Sequence, residues 1–140
     1  MNSTTVPWIR TPGAIQVFLF ALVVRLLFLV VVPAVPISGD ASDYDRLAHA
    51  LVAGEGYVSE TGQPTSMRPP LYSYVLAGFY QLFVDGPAAM RVLHAVLDAV
   101  TCALVYGLAF RHFGFAAARI AGFLSIFSLS LLFALSLIHI

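Results

Sequence analysis

Three acidic residues, Asp40, Asp43 and Asp45, follow directly after the long apolar run 14–35. A carboxylate at the outer edge of a membrane is where an enzyme with a lipid substrate would keep a base or a metal ligand. Asp40 precedes a capping-box pattern that begins at Ser42, so we expect it near the positive end of a helix dipole. The simpler alternative is that these acids only solvate a loop and cap a helix. Asp40 is the candidate catalytic residue.

Arg68 is the cationic complement of these acids. It is followed by Pro69 and Pro70, and each proline fixes its own backbone and restricts its predecessor. A guanidinium held in this way can grip a phosphate with two parallel hydrogen bonds. The alternative is an interfacial arginine that contacts the phosphates of bulk lipid.

Charged and polar residues also lie inside the apolar runs. Arg25 is near the centre of the first run, where a charge is costly unless it faces a partner or a water-filled cavity. Arg91, His94 and Asp98 have the spacing i, i+3, i+7 and share one stripe of a helix. We expect Asp98 to pair with Arg25 and these residues to be structural. His94 and Asp98 could instead bind a metal, but two ligands make a weak signal.

The elements that carry these residues are four apolar runs, at 14–35, 71–84, 92–110 and 115–138. The second run has roughly 14 residues, fewer than the ~17 to 25 that a spanning helix needs, and it is rich in aromatic residues. Such a helix is typical of the membrane interface. The sequence therefore predicts an all-α polytopic membrane protein with three transmembrane helices and short juxtamembrane helices in the first outer loop.

Composition supports a membrane protein. Hydrophobic residues make up 60% of the chain, charged residues 10%, and the mean hydropathy is +0.91. Seven arginines against seven acids leave no basic patch, so we expect membrane lipids as partners and no nucleic acid. Cys102 is the only cysteine, which excludes a disulfide framework within one chain.

The distribution of charge predicts the orientation. If the run 71–84 only dips into the membrane, the basic cluster Arg10, Arg111, His112 and Arg119 lies on one side, and the acids from Asp40 to Asp85 lie on the other. The positive-inside tendency then predicts a multi-pass protein of the cell membrane with a cytoplasmic N-terminus and with residues 37–88 outside.

The outer segment should begin with a short helix at 43–53 that stops at Gly54. Four of its residues share one face, which could rest on the bilayer: Tyr44, Leu47, Ala48 and Leu51.

Several short motifs follow in a fixed order: Asp40-x-x-x-Tyr44, Leu47-Ala48, Leu51, Gly54-x-Gly56, Arg68-Pro69-Pro70-Leu71-Tyr72 and Arg91. Their order and spacing resemble the N-terminal part of polyprenyl-phosphate-dependent glycosyltransferases of the GT-C superfamily, in particular bacterial protein mannosyltransferases and aminoarabinose transferases. The similarity runs from about residue 15 to residue 133. Relatives usually have a proline in the third span, where this chain has Ser128-Leu129-Ser130.

The resemblance implies transfer of a sugar from a polyprenyl phosphate to a lipid, glycan or protein acceptor on the outer face of the membrane. Asp40 would orient or deprotonate the acceptor, Arg68 would stabilise the phosphate leaving group, and Tyr44 and Asp43 would contact substrate. A lipid donor needs no nucleotide, and the resemblance leaves open whether a divalent metal takes part.

We expect residues 1–134 to be the truncated N-terminal part of such a transferase and to be inactive alone. Residues 135–140 resemble translated sequencing-adapter read-through and are set aside. Two other functions stay open: a small transport or proton-relay protein using Arg25, His94 and Asp98, or a non-enzymatic membrane subunit.

Overall fold

The regular secondary structure of this chain is helical. The computed structural model describes residues 13–33, 39–83 and 86–128. These ranges contain four helices, α1 (Ala14–Val31), α2 (Asp40–Val52), α3 (Pro70–Leu82) and α4 (Pro87–Ile126), and no strand beyond one isolated β-bridge. The predicted all-α class is confirmed. Two of the helices, α1 and α4, are long and apolar enough to cross a membrane.

The first helix, α1, ends earlier than the run 14–35 suggested. Its last residue is Val31, two residues before Pro33. A proline lacks the N–H that would continue the helix, and its ring clashes with the preceding turn, so helices end at or before the residue that precedes it. The last two residues of the predicted run, 34 and 35, lie outside the described residues.

Helix α4 consists of two arms joined at Gly114. This glycine has φ 84° and ψ −176°, a conformation that interrupts the helix and that residues with a side chain rarely adopt. The second arm returns along the first: Ala118 packs near Tyr106, and Ile126 packs against Ala99 and Cys102 further back. The two arms therefore form an antiparallel helical hairpin.

The ends of these arms differ from the predicted runs 92–110 and 115–138. The first arm begins at Pro87, because proline suits the first turn of a helix, where no N–H partner is needed. The second arm ends at Ile126, and the sequence from residue 129 onward, including the tail 135–140, lies outside the described residues.

One compact unit contains α1 and most of α4. Gly13, before α1, lies beside Tyr106, whereas Arg25, further along α1, contacts Asp98. Helix α1 is thus antiparallel to the first arm of α4. Small buried residues from both helices, Ala21 and Ala99, allow this close packing.

Arg25 lies fully buried in this unit, with a relative exposure of 0%. Its Nε donates to Oδ2 of Asp98 at 2.6 Å, which is the ion pair that the sequence predicted. Its Nη1 donates to the carbonyl of Ile126 at 2.5 Å, and its Nη2 to the carbonyl of Ser125 at 3.3 Å. The last carbonyls of a helix lack intrahelical partners, so Arg25 caps the end of α4 as well. Removing one partner of such a buried pair costs about 3 to 5 kcal/mol.

The second unit is built on the packing of α2 against α3. Ala41 and Ala48 of α2 meet Leu76 and Ala77 of α3. The predicted contact of the α2 face with the bilayer is therefore wrong, because α3 covers much of that face. The apolar pattern alone could not distinguish lipid from a second helix.

The start of α2 also corrects a prediction. The helix begins at Asp40 after Gly39, which has φ 60°, and no side chain caps its first turn. The hydroxyl of Ser42 donates to the carbonyl of Gly39 at 2.7 Å, so the predicted capping box does not form. Asp40 and Asp43 both lie in the first turn, where negative charge is favourable. The C-terminal stop before Gly54 is as predicted.

Helix α3 forms where the aromatic run predicted a short helix. It has 13 residues, which corresponds to about 20 Å at 1.5 Å per residue. Near the start of α4, Nη2 of Arg91 donates to the carbonyl of Val32 at 2.7 Å. Val32, the residue after α1, therefore lies beside the beginning of α4.

Candidate functional site

Arg68 joins the two acids at the start of α2. Its Nε and Nη2 donate to Oδ2 of Asp43 at 3.1 and 2.8 Å, and Nη2 also donates to Oδ1 of Asp40. The sequence predicted Arg68 as the complement of Asp40, and the structure adds Asp43 as the partner with two hydrogen bonds. The three side chains form one ionic cluster.

Local structure explains why Arg68 contacts Asp40 and Asp43. Asp40 and Asp43 are spaced i, i+3 and therefore lie on one face of α2. Arg68 stands directly before Pro69, which caps α3, and Pro70 is the first residue of that helix. The packing of α2 on α3 brings the first turn of one helix to the entry of the other.

Asp40 and Asp43 differ in their exposure to solvent and in whether a carboxylate oxygen is left for a ligand. The Asp43 side chain is 23% exposed, and one of its oxygens accepts both arginine bonds, whereas the Asp40 side chain is 55% exposed. Within the described ranges, Oδ2 of Asp40 has no protein partner. Asp43 is therefore the acid that orients Arg68, and Asp40 is the acid that can accept a proton or a ligand.

Arg68 also keeps donors available. Its Nη1, with two N–H groups, has no hydrogen bond to any part of the chain that the structure describes. The hydrogen bonds that the Arg68 guanidinium donates to Asp43 raise its pKa above the usual value, so the group stays charged. A fixed guanidinium with a free edge is suited to bind an anionic oxygen.

Aromatic rings pack against the ionic cluster. Cζ of Arg68 lies 6.0 Å from the centre of the Tyr44 ring, a cation–π arrangement. The edge of Tyr44 meets Tyr72 at 5.1 Å between ring centres, and Tyr72 stacks on His94 at 5.4 Å. Burial raises the pKa of Tyr72, which therefore stays neutral. Tyr44 is thus brought into the candidate site, whereas His94 belongs to the ring stack behind it.

The third acid of the loop has a different environment. Oδ1 of Asp45 accepts a hydrogen bond from the Tyr80 hydroxyl at 2.5 Å and lies 3.7 Å from Nε2 of His49. Asp45 therefore links α2 to α3 and lies outside the ionic cluster.

Sequence analysis missed one residue at this site. The hydroxyl of Tyr57 donates to the backbone carbonyl of Arg68 at 3.0 Å, and its ring stacks on Tyr74 at 6.1 Å. The available signal was an aromatic residue directly after Gly54-x-Gly56 in an otherwise polar loop. That signal gives no indication of the distant partner.

Two other predicted polar residues, Asp98 and Arg91, are bonded to other parts of the protein. Asp98 forms an ion pair with Arg25, and Arg91 donates a hydrogen bond to the carbonyl of Val32, the residue after α1. Over the described ranges, no group of three His, Cys, Asp or Glu side chains could hold a metal ion.

The family comparison matches the part of the chain that begins at this site. A model of the dolichyl-phosphate-mannose-protein mannosyltransferase family matches residues 67–139, just over half of the chain. The match includes Arg68, α3 and α4, whereas Asp40 and Asp43 precede it. No curated protein and no solved structure matches. The chain belongs to the dolichyl-phosphate-mannose-protein mannosyltransferase family.

Proposed function

We propose that residues 1–134 form the N-terminal part of a membrane glycosyltransferase that moves a sugar from a polyprenyl phosphate to an acceptor on the outer face of the membrane. The observation that carries this proposal is the cluster of Arg68 with Asp40 and Asp43, at the start of the region that matches the family. The closed pair of Arg25 and Asp98 does not favour the alternative of a proton relay.

The proposed reaction breaks the bond between the sugar and the donor phosphate and forms a bond from the sugar to an acceptor hydroxyl or amine. Negative charge develops on the departing phosphate, and the Nη1 edge of Arg68 stabilises it. The free oxygen of Asp40 accepts the proton of the acceptor. Asp43 and Tyr44 hold the guanidinium in place while the phosphate approaches.

We further propose three spans, namely α1, the first arm of α4 and the apolar run 115–138, of which the second arm of α4 is the described part, with α2 and α3 on the outer face. Three observations support this: α3 has only 13 residues, Arg91 contacts Val32, the residue after α1, and α1 is antiparallel to the first arm. A spanning α3 would make α1 and the first arm parallel. The basic residues Arg111 and Arg119 then flank the cytoplasmic turn of the α4 hairpin.

The topology is checked by labelling single cysteines from outside intact cells. In a Cys102→Ser background, we expect cysteines at Glu60 and Ala88 to react with an impermeant maleimide, and a cysteine at His112 to react only after permeabilisation. Glu60 is the control, since it is outside in either topology. Labelling of the His112 position, but not the Ala88 position, from outside would show that α3 crosses the membrane.

The donor class is checked by transfer assays on the full-length transferase that carries this segment, reconstituted in vesicles. We expect sugar transfer from a polyprenyl-phosphate sugar and none from the matching nucleotide sugar when no lipid carrier is present. The reverse preference would contradict the proposed function. Binding of the lipid donor without any transfer would point to a non-enzymatic subunit.

A further inference from the structure

The loop between α2 and α3 reaches Arg68 through its backbone. Tyr57 lies near the start of this loop, and its hydroxyl hydrogen-bonds the carbonyl of Arg68 across 11 positions of sequence. This contact differs from those of Asp40, Asp43 and Tyr44, which all involve the guanidinium. The arginine is therefore fixed at both of its ends.

Tyr57 is itself held by the loop and by α3. Its carbonyl accepts the N–H of Thr65 at 3.1 Å, and the N–H of Ser59 donates to the carbonyl of Gln63 at 2.7 Å. These bonds close a short antiparallel turn over residues 57–65. The Tyr57 ring lies parallel to Tyr74, with an interplanar angle of 8°. The backbone and the ring of Tyr57 are thus held by contacts other than its hydrogen bond to Arg68.

We propose that Tyr57 is a positioning residue: its hydrogen bond fixes the position of the Arg68 backbone, so that the guanidinium meets the donor phosphate. The proline pair after Arg68 fixes the backbone on one side only, because the preceding residues belong to the loop. The Tyr57 hydroxyl supplies the constraint on the carbonyl itself. This inference rests on the proposed role of Arg68, and it adds a residue to which neither the family match nor the motif pattern assigns a role.

The mechanism predicts a specific kinetic effect. Without the Tyr57 hydroxyl, the backbone at Arg68 can shift, and the Nη1 edge then loses its alignment with the phosphate. The guanidinium keeps its positive charge. Binding sites depend on groups held within about half an ångström of the productive geometry. Use of the donor should therefore weaken, whereas use of the acceptor should not.

The test uses Tyr57→Phe in the full-length transferase, with Tyr74→Phe as the matched control. Both changes remove one hydroxyl from the same stacked ring pair, but only Tyr57 contacts Arg68. For Tyr57→Phe we expect the KM for the polyprenyl-phosphate donor to rise about fivefold, as loss of one hydrogen bond allows, with an unchanged KM for the acceptor. Tyr74→Phe should leave both values unchanged. Equal effects of the two variants would overturn the inference.

A double-variant cycle separates this inference from the proposed function. If Tyr57 acts through Arg68, Tyr57→Phe should have no further effect on donor KM in an Arg68→Ala background. Independent, additive effects would overturn the positioning role and leave the phosphate role of Arg68 intact. An Arg68→Ala variant with unchanged donor use would instead contradict the proposed function itself.

Discussion

Replacing Asp40 by Asn should reduce sugar transfer by about 100-fold or more in the full-length transferase. Asparagine keeps the shape of the side chain and removes its negative charge, so the free oxygen can no longer accept a proton. The measurement is the rate of transfer from a polyprenyl-phosphate sugar in vitro, with expression and membrane insertion checked for each variant.

Other acids of the same segment serve as controls for Asp40. Glu60→Gln should be close to wild type, because this side chain is 80% exposed and lies outside the cluster. Asp45→Asn should affect stability more than turnover, since its partner is Tyr80. Asp43→Asn should cost less than Asp40→Asn and should act mainly on donor KM. If Asp40→Asn is active and Asp43→Asn inactive, the catalytic acid is Asp43. If the variants of Asp40, Asp43 and Asp45 are all active, none of these three acids is catalytic.

Replacing Arg68 by Ala should abolish most use of the lipid donor. The change removes the group that meets the phosphate, and it also leaves Asp40 and Asp43 without their shared counter-ion. Arg68→Lys should recover only part of the activity, because lysine keeps the charge and loses the planar fork. Steady-state kinetics with varied donor concentration give the comparison.

Arg46→Ala is the matched control for Arg68. Arg46 lies in the same segment and bonds the carbonyl of Val58 at 3.1 Å, but it does not contact the acids of the cluster. We expect its donor KM to stay near wild type. Unchanged donor KM and turnover in Arg68→Ala would instead identify Arg68 as an interfacial residue that contacts bulk lipid.

The sequence predicted the ion pair of Arg25 with Asp98 because the possible partners were few. A buried charge in a span needs a partner, and Asp98 is the only acidic residue after Asp85. The helical class and the short length of α3 followed from hydropathy and run length in the same way. These predictions rest on constraints that act along the chain itself.

The contacts of the outer segment were less accessible to prediction. The pattern at Ser42 suggested a cap, but the helix starts at Asp40, directly after Gly39 and three residues before the predicted 43–53 range. The two bonds from Arg68 to Asp43 join residues 25 positions apart, and the Tyr57 contact depends on the path of a loop. No periodicity encodes such contacts, since they arise only when α2 packs on α3.

The burial of Arg25 has a consequence for biosynthesis. Its partners Asp98 and the Ile126 carbonyl are translated 73 and 101 residues later. In a membrane, α1 therefore leaves the ribosome with a charge that still lacks a counter-ion, at a cost of about 2.5 to 3.5 kcal/mol on insertion scales. In the proposed topology, the first span gains these partners only after the α4 hairpin has been made. The last described helix then completes the first.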